Sequence, residues 1–322
     1  MRCTWWNTLT GFTGLGGIRW IASILCDRHR PDAEDIAPED LRGADCGVLK
    51  VAGHDVVYRR HGEGTPVLVF IHGFGERLQI WQPIQQALAD RYPGVSLDLW
   101  GFGAAPRPEG ITPRDWVTEV MGLLDALGIE RAVFIGHSLG ARVSLMCARA
   151  HPDRIAGLVL CDADWGQAPH GYVLVSMLAR TPLLPRVVRG IRTRRAHLER
   201  LVDMVWTPNF VLEEGELQAL HQPLRVKGTE ACWRSLASAP PLRDVRHLAE
   251  DVKAPSLVIW GADDPVVPLW AGQKLARKLH AELKILPNCG HFSPEEYPEQ
   301  VTQWIEEFLL ARKPYERLPA AR

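Results

Sequence analysis

A chain of 322 residues is long enough to bury a large core in one domain or two, and 46% apolar against 23% charged residues is the balance of an ordinary folded protein. The net charge of -1 carries no electrostatic footprint for nucleic acid, and the seven cysteines include no C-x-x-C pair and no His/Cys cluster at metal-ligand spacing. Their odd number, with Cys147 and Cys161 inside apolar runs, points to buried free thiols in a reducing, cytoplasmic setting; neither a metal nor an organic cofactor is implied.

Residues 1–47 read as an N-terminal extension. Trp5, Leu9, Phe12, Leu15, Ile18, Ile21 and Leu25 recur three or four apart, the stripe of an amphipathic helix. Gly11, Gly14, Gly16, Gly17 and Arg19 interrupt it too often for a membrane-spanning segment, and no A-x-A cleavage site follows. Two placements fit: an interfacial anchor that makes the protein peripheral at a membrane, or a helix docked beside the mouth of a cap. The polar, acidic stretch 32–45 reads as a linker.

From about residue 48 strand-like and helix-like segments alternate. Val48–Ala52 and Asp55–Arg60 are short strands, and Val67–Ile71 is a continuous apolar run, as in a strand buried on both faces. Trp81–Arg91 has helical periodicity, Gly94–Leu99 is the next strand, and Trp116–Leu127 is a helix. Arg131–Ile135 is a strand followed by Gly136-His137-Ser138-Leu139-Gly140 and the helical run Ala141–Ala150; Ala156–Cys161 is a sixth strand. The alternation stops over residues 163–249, which look helical, with turn signals at Thr181-Pro182, Pro185 and Thr207-Pro208. Ser256–Trp260, the helix Leu269–Leu279, Glu282–Leu286 and a last helix Pro298–Leu310 then resume the pattern, before a tail at 313–322. Strands joined by helices imply an α/β fold with a mostly parallel eight-stranded sheet covered on both faces. Its core is 48–162 with 250–312, and 163–249 is a helical cap inserted after the sixth strand, over the carboxyl ends where such sheets bind ligands.

The pentapeptide at 136–140 has the strand-turn-helix context of a nucleophile elbow. A sharp turn there holds Ser138 in a strained conformation with its hydroxyl clear of the chain, and a Cβ at either flanking glycine would collide with a neighbour. A serine hydroxyl needs a base, and the base a third group to fix its tautomer. Asp263 and Asp264 follow the seventh strand and His291 follows the eighth, giving the order Ser, Asp, His. Asp162, just past the sixth strand, is an alternative acid. His72 and Asp98 read as loop-structuring residues, and His137, within the elbow, as pointing away from the reaction centre.

His72-Gly73-Phe74-Gly75, Asp98–Gly103, Gly136–Gly140, Gly261–Pro268 and Gly290-His291 together resemble the blocks of the α/β-hydrolase fold superfamily, in its capped serine-hydrolase branch. The resemblance implies Ser138 as nucleophile, His291 as general base and then acid, Asp264 rather than Asp263 as orienting carboxylate, and the backbone N–H groups of Phe74 and Leu139 as oxyanion hole. It departs from the family at Ala104-Ala105, where a polar residue is frequent, and at Ala141, where a third glycine is common; both bear on pocket shape. A serine nucleophile sets it apart from the dehalogenases and epoxide hydrolases of the fold, which use aspartate.

The expected reaction is hydrolysis of a small-molecule carboxylic ester or thioester through an acyl-serine intermediate. The same triad would serve a carbon–carbon or lactone hydrolase, and a ligand-binding receptor can retain it. Between Trp165 and Phe210 stand seven arginines against Glu199 and Asp203, a local balance of +5. Arg186, Arg189, Arg192 and Arg195 lie opposite an apolar helical stripe. They form either a solvated face or a docking surface for an acyl carrier, a coenzyme A thioester or an anionic membrane.

Overall fold

The computed structural model describes residues 15–26, 34–166, 184–207, 210–238, 247 and 249–312. Eight strands form one sheet: β1 (Gly47–Val51), β2 (His54–His61), β3 (Val67–Ile71), β4 (Gly94–Asp98), β5 (Ala132–His137), β6 (Ile155–Cys161), β7 (Ser256–Gly261) and β8 (Glu282–Leu286). Their order across the sheet is β1-β2-β4-β3-β5-β6-β7-β8. β1 and β2 pair antiparallel, β2 meets β4 antiparallel, and every pairing from β4 to β8 is parallel.

The continuous apolar runs of the sequence have a simple cause. Every residue of β3, β5, β6 and β7 is buried, because helices cover both faces and alternate side chains feed two separate cores. Val69, Ile71 and Phe134 face α3 (Pro113–Ala126), α4 (Leu139–Ala150) and α9 (Leu269–Leu279); Leu68, Phe70, Val133 and Ile135 face α2 (Gln82–Leu88) and α10 (Pro298–Arg312). Helix α2 is shorter than its periodicity predicts. A 3-10 turn, Leu78–Trp81, precedes it, and Pro83 is tolerated only because it stands in the first α-helical turn.

Between β6 and β7 lie α5 (Leu184–Thr193), α6 (Arg195–Val205), α7 (Glu214–His221) and α8 (Thr229–Ser238). The anticipated turn at Thr181-Pro182 and the tail 313–322 fall outside the described residues. Arg107, in the loop after β4, fastens this insertion to the sheet. Its guanidinium donates to the carbonyls of Phe102, Gly103, Ala105 and Pro223 and to Thr229 Oγ1. Trp233 of α8 adds a bond from Nε1 to the Gly101 carbonyl at 3.0 Å.

The helix α1 (Leu15–Cys26) packs on α5 and α6. Ile24 is fully buried there against Gly190, where a Cβ would stand 2.2 Å from Ile24 Cγ2. Trp5, Leu9 and Phe12 lie outside the described residues. The acidic stretch is more than a linker: Ile36 makes a parallel bridge with Val226, and Asp35 pairs with Arg192. No helix among the described residues is long and apolar enough to cross a membrane.

Candidate active site

Three strand ends converge on one point. Ser138 leaves β5 with φ 48° and ψ −110°, a conformation that non-glycine residues rarely adopt, and opens α4. The tight elbow needs its glycines: a Cβ on Gly140 would lie 2.0 Å from the Ile71 carbonyl oxygen, and one on Gly136 would lie 2.5 Å from the Ala141 nitrogen. His291, from the loop after β8, accepts the Ser138 hydroxyl proton at Nε2 across 2.9 Å. Its Nδ1–H donates to Asp264 Oδ2 at 2.8 Å. The other Asp264 oxygen accepts from the amides of Val266 and Val267 at 2.7 and 2.8 Å, which fixes the carboxylate in the turn after β7. All three side chains are nearly removed from solvent, which strengthens each of these contacts.

Asp263, the neighbouring candidate, is exposed, and its amide donates instead to the Cys289 carbonyl. Asp162 is buried beside the relay rather than in it, accepting from the amides of Gly261 and Ser293 at 2.8 and 3.1 Å. Burial and the nearby Asp264 carboxylate push its carboxyl up to about 7. His72 and Asp98 do structure loops. His72 donates from Nδ1 to the Gly73 carbonyl and accepts the Leu99 amide at Nε2, while Asp98 accepts from the amides of Leu78 and Ala104.

The amide of Leu139 opens α4 and that of Phe74 lies in the turn after β3, so an oxyanion beside Ser138 would also meet the positive end of the helix dipole. Around this point gathers an aromatic wall. The Phe74 ring, 54% exposed, lies 5.1 Å from Phe102 and 4.6 Å from Trp233, and Trp206 of the insertion stacks on Phe292 at 3.5 Å. An apolar wall of this kind suits an apolar acyl or leaving group. Trp206, Trp233 and Glu76 are not among the residues that the sequence motifs single out. The first two are signalled only by being aromatic within a polar insertion, and the third by a carboxylate three residues past the buried Gly73.

The arginine face is internally compensated at the positions described. Arg189 stands 3.6 Å from Glu230, Arg192 pairs with Asp35, and Arg195 pairs with Glu199 at 2.8 Å and with Glu214. Arg186 lies in α5, and its side chain is outside the described set. A surface cavity of about 410 Å³, lined by Arg189, Arg192 and Arg234 with Asp35 and Glu230, opens here, and no triad residue lines it. The five described thiols are free, and four of them are buried.

Residues 68–304 match the sequence model of the "Alpha/beta hydrolase family". The chain is 32% identical over 255 residues to the dihydrolipoyllysine-residue acetyltransferase component of the acetoin cleaving system of Pseudomonas putida, covering 77% of this chain and 64% of that one, which is under two thirds of that protein. It is 31% identical over 271 residues to a 2-hydroxy-6-oxononadienedioate/2-hydroxy-6-oxononatrienedioate hydrolase of Paraburkholderia phymatum, covering 79% of this chain and 90% of that one. Among solved structures it is similar to the enol-lactonase of Burkholderia xenovorans LB400, with a TM-score of 0.69, 26% identity, and coverage of 82% of this chain and 100% of that one.

Proposed function

This chain belongs to the alpha/beta hydrolase family and is an enzyme of the hydrolase type, and within it we propose that it cleaves a small-molecule carboxylic ester or thioester through an acyl-Ser138 intermediate. The observation that carries the reading is the unbroken relay from Ser138 Oγ through both nitrogens of His291 to Asp264.

In the first half-reaction Ser138 Oγ attacks the acyl carbon while His291 Nε2 takes its proton. Asp264 keeps the Nδ1–H tautomer and stabilises the imidazolium that forms. The amides of Leu139 and Phe74 hold the oxyanion; losing one such donor costs about 10²–10³ in rate. His291 then returns the proton to the departing alcohol or thiol. In the second half-reaction a water gives its proton to His291 and attacks the acyl carbon; His291 returns that proton to Ser138 Oγ as the acyl–oxygen bond breaks and the acid leaves. A lactone is a cyclic carboxylic ester, so similarity to an enol-lactonase fits the same chemistry.

A second reading has a specific observation behind it, the similarity to a hydrolase of oxononadienedioates. The triad would then act on a carbon–carbon bond beside a ketone. Short p-nitrophenyl esters and a diketone panel tried side by side separate the two. The paired arginines lend no support to docking of an anionic carrier or membrane, because such a partner would have to displace Glu230, Asp35 and Glu214. Ser138→Ala is expected to keep the wild-type melting temperature and to lose ester hydrolysis; retention of turnover would contradict the assignment.

A further inference from the structure

Beneath the relay lies a second buried pair that the chemistry above leaves unused. The elbow residue His137 is fully buried, with Nδ1 2.8 Å from Glu76 Oε1 and Nε2 2.7 Å from the backbone carbonyl of His291. Glu76 is equally buried, and its Oε2 accepts the Gly73 amide at 2.5 Å. One ion pair therefore reaches three segments: the turn that carries Phe74, the elbow that carries Ser138, and the loop that carries His291.

We propose that Glu76 and His137 are a positioning pair that holds the general base and the oxyanion turn in register with the nucleophile. This rests on the reading of Ser138, His291 and Asp264 as the hydrolytic relay. Both His137 nitrogens face acceptors, a carboxylate and a carbonyl, so both must donate, and the ring is an imidazolium opposite a carboxylate. The other titratable groups around it are Asp162, with Oδ2 3.9 Å from Nε2, His291, whose ring centroid is 5.1 Å away, and His72 and Glu295. Burial works against a charged ring, but the Glu76 carboxylate, with Asp162 behind it, pushes His137 up to about 9. Burial likewise works against the Glu76 anion, and the His137 imidazolium holds it below the usual carboxylate range.

The consequence is a pH dependence in positioning. When His137 loses its proton, the remaining N–H stays on Nδ1 toward Glu76, and a bare Nε2 lone pair then faces the His291 carbonyl. That contact turns repulsive, the loop shifts, and kcat falls. Glu76→Gln removes this dependence and keeps the geometry. The glutamine oxygen still accepts from Gly73, its amide donates to Nδ1 of a neutral His137, and Nε2–H still donates to His291.

The test is steady-state hydrolysis of a short p-nitrophenyl ester across pH. Glu76→Ala and His137→Phe are expected to lose about 10–100-fold in kcat with KM nearly unchanged, since a misplacement on the order of 1 Å costs about that much. Glu76→Gln is expected to retain most of kcat at neutral pH and to lack the wild-type decline near pH 9. Wild-type kcat in Glu76→Ala, a loss confined to KM, or an unchanged alkaline decline in Glu76→Gln would each overturn the proposal. Should the alanine and phenylalanine variants fail to fold, the isosteric glutamine variant alone decides. Turnover by Ser138→Ala would instead sink the underlying relay, whereas an inactive Ser138→Ala beside a fully active Glu76→Ala would remove only the pair.

Discussion

Asp263 and Asp264 are adjacent in sequence and opposite in circumstance. Asp264 is buried, with one oxygen on two backbone amides and the other on His291, whereas Asp263 points to solvent. An asparagine at 264 would present an amide N–H or force the wrong imidazole tautomer, so Asp264→Asn is expected to lower kcat by on the order of 10³–10⁴. Asp263→Asn should stay within about twofold of wild type, because a surface carboxylate away from the relay has nothing to orient. Comparing kcat of the two variants decides between them, and a loss carried by Asp263 would contradict the assignment. Ser138 and Asp264 each follow a strand that announces itself as an apolar run, whereas β8 before His291 mixes Glu282 and Lys284 with its apolar residues and is only partly buried. Which of two neighbouring aspartates turns inward was not derivable from periodicity, because a turn between strand and helix has none. The roles of Glu76 and His137 were hidden for a related reason. A buried ion pair joining residues 61 positions apart exists only once the sheet has closed.

At the level of elements, the strands were readable because burial on both faces leaves β3, β5, β6 and β7 almost wholly apolar, with His137 and Ser256 the polar residues at their ends. Helix starts were less so. Helix α3 begins three residues before the apolar pattern at Trp116, at Pro113, because Thr112 and Asp115 form a capping box whose polar residues carry no periodicity. The N-terminal stripe could not reveal its partner, since an apolar face suits lipid and protein equally well. Docking of α1 turns on Ile24, fully buried beside Gly190 in α5. Ile24→Ala is therefore expected to destabilise the fold by roughly 2–4 kcal/mol, within the range for a buried isoleucine. Arg19→Ala, on the exposed side of the same helix, should leave the melting temperature unchanged. Identical melting curves for both variants would argue that α1 does not pack on the insertion.

For the whole molecule, stability should carry a pH signature set by a carboxyl that is buried without a cation. Glu119 in α3 accepts the Trp100 amide with both oxygens, at 3.1 and 2.9 Å, and burial pushes it well above its ordinary value of 4.5. From about pH 4.5 upward the unfolded chain ionises this group while the folded chain keeps the proton. The folded state then binds more protons, so its stability declines as pH rises, by up to about 1.4 kcal/mol per unit. Glu119→Gln lacks that slope. Its stability relative to wild type should increase as pH rises above about 4.5 in denaturant melts, and a difference that stays flat would contradict this account. The same packing that costs stability at Glu119 also encloses the relay: Arg107 and Trp233 tie the insertion to the loops after β4, and the catalytic groups are nearly dry. We propose that acyl transfer occurs on Ser138 Oγ. The most direct test of this is intact-protein and peptide mass spectrometry after treatment with a fluorophosphonate. One adduct on the peptide bearing Ser138, absent from an equally stable Ser138→Ala, is the expected result; undiminished labelling of that variant, or an adduct elsewhere, would contradict it.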